Sequence, residues 1–215
     1  MSKKIGIIGS GIVAQTLGAG FIKHGYEVML GTRDTNKLTE WLSGAGKGAS
    51  TGSFNDAGAF GNLLILAVKG TAAKSAVQLI DNQHLKGKTF IDATNPIADA
   101  APVNGVLHYF TDLQSSLMEQ LQDSFPEAHF VKAFSSVGSA NMVNPEFETK
   151  PTMFICGNDN NAKSEVSNIL DQFGWDTADM GNAEAARAIE PLAMLWCIPG
   201  FLHNEWTHAF KLLRK

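Results

Sequence analysis

The sequence predicts an α/β protein built on a doubly wound, mainly parallel sheet, and three observations predict it. Short apolar runs alternate with segments of helical period along the chain. The first run ends in Gly9-Ser10-Gly11-Ile12-Val13-Ala14, a glycine turn that opens a helix, and that helix is closed by Gly25 and followed at once by a second apolar run. A βαβ unit is therefore complete early in the chain, and parallel neighbours need a right-handed crossover of this kind.

Residues 4–8 are too few for a helix and stop at Gly9, the pattern of a strand buried on both faces. Residues 12–24 carry Leu17, Phe21 and Ile22 at helical spacing, with Gly25 just past the end. Residues 26–30 form the second strand, and the turn 31–35 offers Asp34 or Thr35 to cap a helix over 36–42. A weak strand near 49–51, a short helix over 56–60, a strong strand over 63–68, a helix over 71–80 and a strand over 89–93 follow. A helix over 113–122 leads to a sixth strand, 129–134. Residues 153–156, 163–173 and 176–180 read as strand, helix and strand that extend the sheet. The end, 184–213, is helical in pattern but broken by Pro191 and by Pro199-Gly200, which predicts two or three short packed helices. Residues 98–111, with Pro102 and Gly105, are the longest stretch without periodicity, and long ordered loops are often functional.

At 215 residues and 44% hydrophobic content the chain is expected to form one domain, 1–215, with a core over 1–150. The extension 151–215 is expected to complete the sheet, an acceptor pocket and a dimer interface. Charged residues make up 18%, and the net charge of -4 is spread without like-charge runs, which argues against nucleic acid as a partner. Cys156 and Cys197 lack the spacing of a disulfide framework or a zinc site, and the chain reads as cytoplasmic. Lys3-Lys4 before an apolar run imitates a signal peptide, but Gly9, Ser10, Gly11 and Gln15 break the run. No uninterrupted apolar stretch approaches the roughly 18 residues of a membrane span. His24, His84, His108, His129, His203 and His208 form no ligand set, since even His203 and His208 miss the spacing of a helical metal pair.

The loop Gly9-x-Gly11-x-x-Ala14 sits between strand and helix, the context that the dinucleotide fingerprint of a Rossmann fold requires. Gly9 serves the tight turn, Gly11 lets backbone approach a pyrophosphate, and Ala14 lets the helix pack close to the strand. The amides of Ser10, Gly11, Ile12 and Val13 then face the phosphates at the positive end of the helix. The alternative is an ordinary glycine turn. Where an NAD-binding chain places a carboxylate at the end of the second strand, this one has Gly31, followed by Thr32 and Arg33, with Lys37 one turn later. These groups attract a 2′-phosphate, so NADP(H) is favoured over NAD(H). The bland alternative is that Arg33 and Lys37 are solvated, with Asp34 neutralising Arg33.

Ala67-Val68-Lys69 and Asp92-Ala93-Thr94-Asn95-Pro96 end the fourth and fifth strands, where open α/β sheets bind ligands, and should border ribose and nicotinamide. Each also has a structural reading: Lys69 as a surface lysine, Asp92 as a buried acceptor of loop amides, Asn95-Pro96 as a rigid turn. Lys132-Ala133-Phe134-Ser135-Ser136 ends the sixth strand beside the nicotinamide position, with Ala133 and Ser135 as substrate candidates and Lys132 either a proton donor or a structural lysine. Met194, Trp196 and Phe201 offer a roof for a flat ring, or core packing. No catalytic residue is assigned.

With these residues assembled, the chain resembles the NADP:deazaflavin oxidoreductase family over nearly its whole length. The resemblance rests on Ile5-Gly6-Ile7-Ile8-Gly9-Ser10-Gly11, Gly31-Thr32-Arg33, Asp92-Ala93-Thr94-Asn95-Pro96, Val131-Lys132-Ala133-Phe134, Cys156-Gly157-Asn158-Asp159 and Ala186-Arg187-Ala188-Ile189-Glu190-Pro191-Leu192-Ala193. The chain is also similar to the cytosolic domain of the six-transmembrane epithelial antigen of prostate metalloreductases, without their membrane half. The resemblance implies an NADPH site at residues 9–13, at Thr32, Arg33 and Lys37, and beside Val68 and Asn95. It further implies hydride exchange with a flavin or deazaflavin co-substrate stacked on the nicotinamide, which needs little acid-base help. Ile12-Val13 depart from the smaller polar residues of the founding members, which leaves the acceptor open. Two other readings stand beside this one: a β-hydroxyacid dehydrogenase or imine reductase, which normally adds a larger helical domain with a lysine in a glycine-rich helix, and a non-enzymatic NADP(H) sensor. Leu192, Leu195, Trp196, Phe201 and Leu202 give the terminal helices more apolar surface than one monomer needs, so a homodimer is expected.

Overall fold

The computed structural model describes residues 3–215. Strand β1 (Lys4–Ile8) enters the core and, through Gly9, hands the chain to helix α1 (Ile12–Lys23). Strand β2 (Glu27–Gly31), a 3-10 turn (Thr35–Leu38), helix α2 (Thr39–Ser43) and strand β3 (Ser50–Gly52) complete the first half. Helix α3 (Phe54–Phe60) begins at a reciprocal cap in which Ser53 and Asp56 each bond the other's backbone amide. Strand β4 (Leu63–Leu66), helices α4 (Ala73–Val77) and α5 (Asn82–Leu85), and strand β5 (Thr89–Asp92) follow. The single helix expected over 71–80 is thus a 3-10 turn at Gly70–Ala72 and a short helix, and α5 was not foreseen.

Helix α6 (Leu117–Ser124) starts four residues later than its apolar pattern suggests, because Ser116 and Glu119 form a second reciprocal cap that fixes where it begins. Strand β6 (His129–Lys132) closes a six-stranded parallel sheet of order β3-β2-β1-β4-β5-β6. This is the doubly wound Rossmann order. The four residues of β4 and of β5 are all buried, as strands covered by helices on both faces must be.

The next three elements match their expected positions but not their expected attachment. Strand β7 (Thr152–Ile155), helix α7 (Asn160–Gln172) and strand β8 (Asp176–Asp179) form a two-stranded parallel sheet of their own. It meets the main sheet at one antiparallel bridge, Lys132 to Cys156. Two residues past the bridge, buried Phe134 has φ of 61°, a left-handed backbone that does not continue a strand.

The end of the chain also differs from expectation. It is one 18-residue helix, α8 (Ala186–His203), with Pro191 and Pro199 inside it. Each proline forfeits one intrahelical bond, and burial of Ile189, Glu190, Ala193 and Trp196 outweighs that loss. By length and composition alone, Ala183–His203 is long and apolar enough to cross a membrane. In the structure, however, Glu190 on this helix is tied into the interior.

Lys132 is fully buried, and its ammonium reaches Asp92 Oδ2 at 2.7 Å, Glu190 Oε1 at 2.8 Å and the Thr94 carbonyl at 2.9 Å. Glu190 in turn accepts the Leu117 and Met118 amides at the start of α6, each at 3.0 Å. Burial alone would depress the lysine's pKa, but the Asp92 and Glu190 carboxylates reverse the shift and hold it well above its ordinary value. One cation therefore joins β5, β6, α6 and α8. Lys132→Met is expected to destabilise the chain by about 3–5 kcal/mol by leaving two buried carboxylates without a counter-charge. Urea unfolding checks this, and a change below about 1 kcal/mol would contradict it.

Candidate nucleotide site

At the carboxyl edge of the sheet, where the strand order reverses between β1 and β4, a cleft of about 790 Å³ opens. Gly9, Ser10, Gly11, Ile12 and Val13 form one wall, Thr32, Arg33 and Lys37 one end, and Ala67, Val68 and Lys69 the floor on the far side. Sequence reasoning named all of these, and the fold brings them together.

The two loop glycines do different work. Gly9 has φ of 142°, and a Cβ there would lie 2.2 Å from the Ala67 carbonyl oxygen, so both conformation and packing demand glycine. Gly11 has an extended backbone with φ of -77°, and a Cβ there would meet no protein atom within 4 Å. Nothing in the protein asks for glycine at position 11, which lines the cleft.

Helix α1 begins at Gly11 without a side-chain cap and without an acidic residue in its first turn. Helices α3, α6 and α7 are capped by Ser53, Ser116 and Asp159, whereas α2, α4, α5 and α8 share the uncapped start of α1, which alone opens at the glycine loop of the cleft. The first intrahelical bond of α1 runs from the Gln15 amide to the Gly11 carbonyl, so the preceding amides are left for a partner from the cleft. The positive end of the helix dipole points the same way.

Gly31 closes β2, and a Cβ there would sit 3.0 Å from both Ala57 Cβ and the Ser53 carbonyl oxygen. A side chain at that position would therefore press on α3, which would have to give by a few tenths of an ångström. Thr32, buried, donates its hydroxyl within reach of Ser10 Oγ and of the Asp34 carbonyl, both at 3.1 Å. Asp34, which also lines this end of the cleft, forms no ion pair with Arg33 among the described residues; its carboxylate accepts the Asn36 amide at 3.1 Å and caps the 3-10 turn. Arg33 and Lys37 are exposed and form no ion pair among the described residues, so two cations stand free at this end of the cleft.

Sequence reasoning missed the outer wall. Phe54 from α3 and Ala72, Ala76 and Leu79 from the α4 region line the cleft, with Leu79 58% exposed. The spacing of Ala72, Ala76 and Leu79 is that of one helical face, the signal that marks them. Ala93 also lines the cleft; Asn95 and Pro96 do not. Asn95 instead donates its side-chain amide to the Ser135 carbonyl at 2.7 Å, while its Oδ1 and Ser135 Oγ are buried without partners.

The four residues expected to hold an acceptor lie outside the cleft. Ala133 and Ser135 are buried at the end of β6 and Met194 is half-buried. Trp196 is not a free roof: its indole stacks on His208 with centroids 4.9 Å apart, donates to the His208 carbonyl at 2.8 Å and covers Gly138. The folding back of residues 204–215 over α8, invisible to helical periodicity, commits this ring. Phe201 is likewise edge-on to Trp206. Lys132 is the structural lysine of the two readings given for it. Cys156 beside it is buried and its pKa pushed up to about 12 by desolvation, so its thiol stays protonated. Lys69 pairs with Asp99 in the long loop at 3.4 Å, both largely exposed.

Residues 4–96 match the family described as NADP oxidoreductase, coenzyme F420-dependent. The chain is 28% identical to the rat metalloreductase STEAP3 over 93% of this chain, and 27% identical to human STEAP2 over 88%. It spans 39% and 36% of the length of those two relatives. It is 28% identical to an F420-dependent NADP reductase of Methanocaldococcus jannaschii over 65% of this chain and 62% of that protein. Among solved structures, an Arthrobacter sp. FB24 protein described as an F420-dependent NADP-reductase superposes over the whole of both chains with a TM-score of 0.91 at 28% identity. A reductive aminase of Aspergillus terreus, solved with NADPH, shares the fold over 95% of this chain and 63% of its own, with a TM-score of 0.69 at 16% identity.

The glycine roles separate in a simple pair of variants. Gly9→Ala is expected to cost at least about 2 kcal/mol through strain and collision with Ala67, while Gly11→Ala changes stability by less than about 1 kcal/mol. Thermal unfolding of both decides it, and equal losses would refute the reading of position 11 as space kept for a ligand.

Proposed function

We propose that this chain is an NADPH-dependent oxidoreductase that passes hydride between NADP(H) and a flat conjugated acceptor such as a flavin or deazaflavin. The observation that carries the reading is the pairing of an uncapped, glycine-opened helix start with two unpaired cations beyond β2, in one cleft. The separation of these two anion-attracting features along the cleft suits a dinucleotide with a pyrophosphate in its middle and a further phosphate on its adenosine ribose.

On this reading the amides of Ile12 and Val13 hold the pyrophosphate, Arg33 and Lys37 with the Thr32 hydroxyl hold the 2′-phosphate, and Phe54, Ala72, Ala76 and Leu79 shelter the adenine. Asn95 and Ser135 stand at the nicotinamide end beyond Ala93. The cofactor, when bound, supplies hydride from the nicotinamide ring. The protein's part is to hold the reacting rings in contact and keep water away, and a flavin-like acceptor asks no more of it. That Lys132 is locked in a buried ion cluster agrees with a reaction in which no side chain moves a proton.

The exposed apolar residues Leu195, Phe201 and Leu202 of α8 support a homodimer through this helix, with Val103 and Val106 of the long loop beside it. Mass measurement in solution is expected to give twice the chain mass, and a monomer at working concentration would remove the proposal.

Arg33→Ala is expected to weaken NADPH binding by about ten- to hundredfold while leaving weak NADH binding unchanged. The unaltered chain is expected to oxidise NADPH when flavin or deazaflavin is supplied. Equal losses for both nucleotides would defeat the phosphate assignment, and a broad acceptor panel that never accelerates NADPH loss would defeat the reductase assignment.

A further inference from the structure

The buried cluster of Lys132, Asp92 and Glu190 has an unequal charge count. Asp92 Oδ1 accepts the Thr94 amide at 2.9 Å and the Thr94 hydroxyl at 2.6 Å, while Oδ2 accepts no hydrogen bond and lies 2.7 Å from the Lys132 ammonium as an ion pair. Glu190 takes the Leu117 and Met118 amides and Lys132. Two carboxylates thus face a single ammonium, a formal excess of one negative charge. The neighbouring Cys156 thiol and the Tyr109 hydroxyl, which donates to the Glu190 carbonyl at 2.8 Å, are held neutral by burial. The interior therefore carries one uncompensated negative charge, softened by amide and hydroxyl dipoles and shielded from water.

Its position gives this charge a use. Asp92 ends β5 and Lys132 ends β6, and Ala93, the next residue after Asp92, lines the cleft. In a sheet of this order the nicotinamide end of a dinucleotide lies outside the carboxyl ends of these strands. The oxidised nicotinamide ring is a cation and the reduced ring is neutral, so a fixed charge nearby discriminates between them.

We propose that the Lys132, Asp92 and Glu190 cluster acts as a fixed negative charge behind the nicotinamide site, binding the oxidised cofactor relatively more tightly than the reduced one and so driving hydride out toward the acceptor. The two residues that set the excess charge, Asp92 and Glu190, are electrostatic positioning residues and touch no substrate. The inference rests on the NADP(H) reading above. It adds a direction to it: loss of hydride leaves a positive ring over a negative interior, which favours reduction of the acceptor. Because the charge is buried, the effect is expected to persist at high salt.

The test is the ratio of dissociation constants for NADP+ and NADPH, measured by calorimetry, with 2′-phospho-ADP-ribose, which lacks nicotinamide, as the reference ligand. Glu190→Gln removes one negative charge at nearly constant volume and is expected to move the ratio roughly tenfold in favour of NADPH, the effect of a unit charge nearby in a medium of effective dielectric about 20. Thr94→Val removes only a hydroxyl donor from Asp92, leaves the ion cluster whole, and is expected to move the ratio about threefold in the opposite direction. A purely structural role would weaken both redox states alike. Opposite shifts with unchanged 2′-phospho-ADP-ribose affinity support the proposal; unmoved ratios, or shifts of the same sign, overturn it. Should Glu190→Gln fail to fold, the Thr94→Val shift alone decides. If the unaltered chain does not bind 2′-phospho-ADP-ribose, the nucleotide reading itself fails and takes this inference with it.

Discussion

A buried ammonium has no water to hydrate it and must find oxygen atoms within the protein, and Lys132 finds three of them on two separate segments. Asp92 comes from β5, the Thr94 carbonyl from the loop beyond it, and Glu190 from a helix near the end of the chain. Because Glu190 also accepts the first amides of α6, the cluster fixes the helix before β6 as well as the one that closes the molecule. The mutual placement of β5, β6, α6 and α8 is held by these few contacts. Replacing the cluster with apolar side chains could be no less stable, but it would remove the geometric demand that brings α8 to this one place.

The cleft obeys a different logic. Its anion-attracting parts are backbone amides and exposed cations that have not been spent on the protein's own structure. Ser53, Ser116 and Asp159 satisfy the amides of α3, α6 and α7, and α1 has no such residue. Asp34 is close enough in sequence to pair with Arg33, yet its carboxylate is used on the Asn36 amide. Packing favours the same outcome at Gly31, where a Cβ would press on α3 at 3.0 Å.

The C-terminal third serves as a buttress. The pair β7 and β8 touches the main sheet at a single bridge, and residues beyond α8 return along β7, with the Thr152 amide donating to the Phe210 carbonyl at 2.8 Å. That return places His208 on Trp196 and removes the indole from the candidate acceptor surface. The apolar residues left outside, Leu195, Phe201 and Leu202, lie on the same helix whose Glu190 is buried, so one helix faces both the charged interior and open solvent.

Local chemistry determined much of this molecule in advance. Strand runs such as residues 63–66, the glycine turn at 9–11 and the cations at 33 and 37 are each read from neighbours in sequence, because strand burial, turn conformation and loop charge are short-range properties. What lies far apart in the chain was decided only on folding. Pro191 and Pro199 argue locally for broken helices, and the burial of Ile189, Glu190 and Ala193 overrules them. Lys132 has a plain identity in sequence, but its role depends on Glu190, 58 residues away, coming within 2.8 Å. The strand pair β7 and β8 was legible as strands, whereas its separation from the main sheet, which it meets at the Lys132–Cys156 bridge, is a matter of long-range pairing that no periodicity encodes.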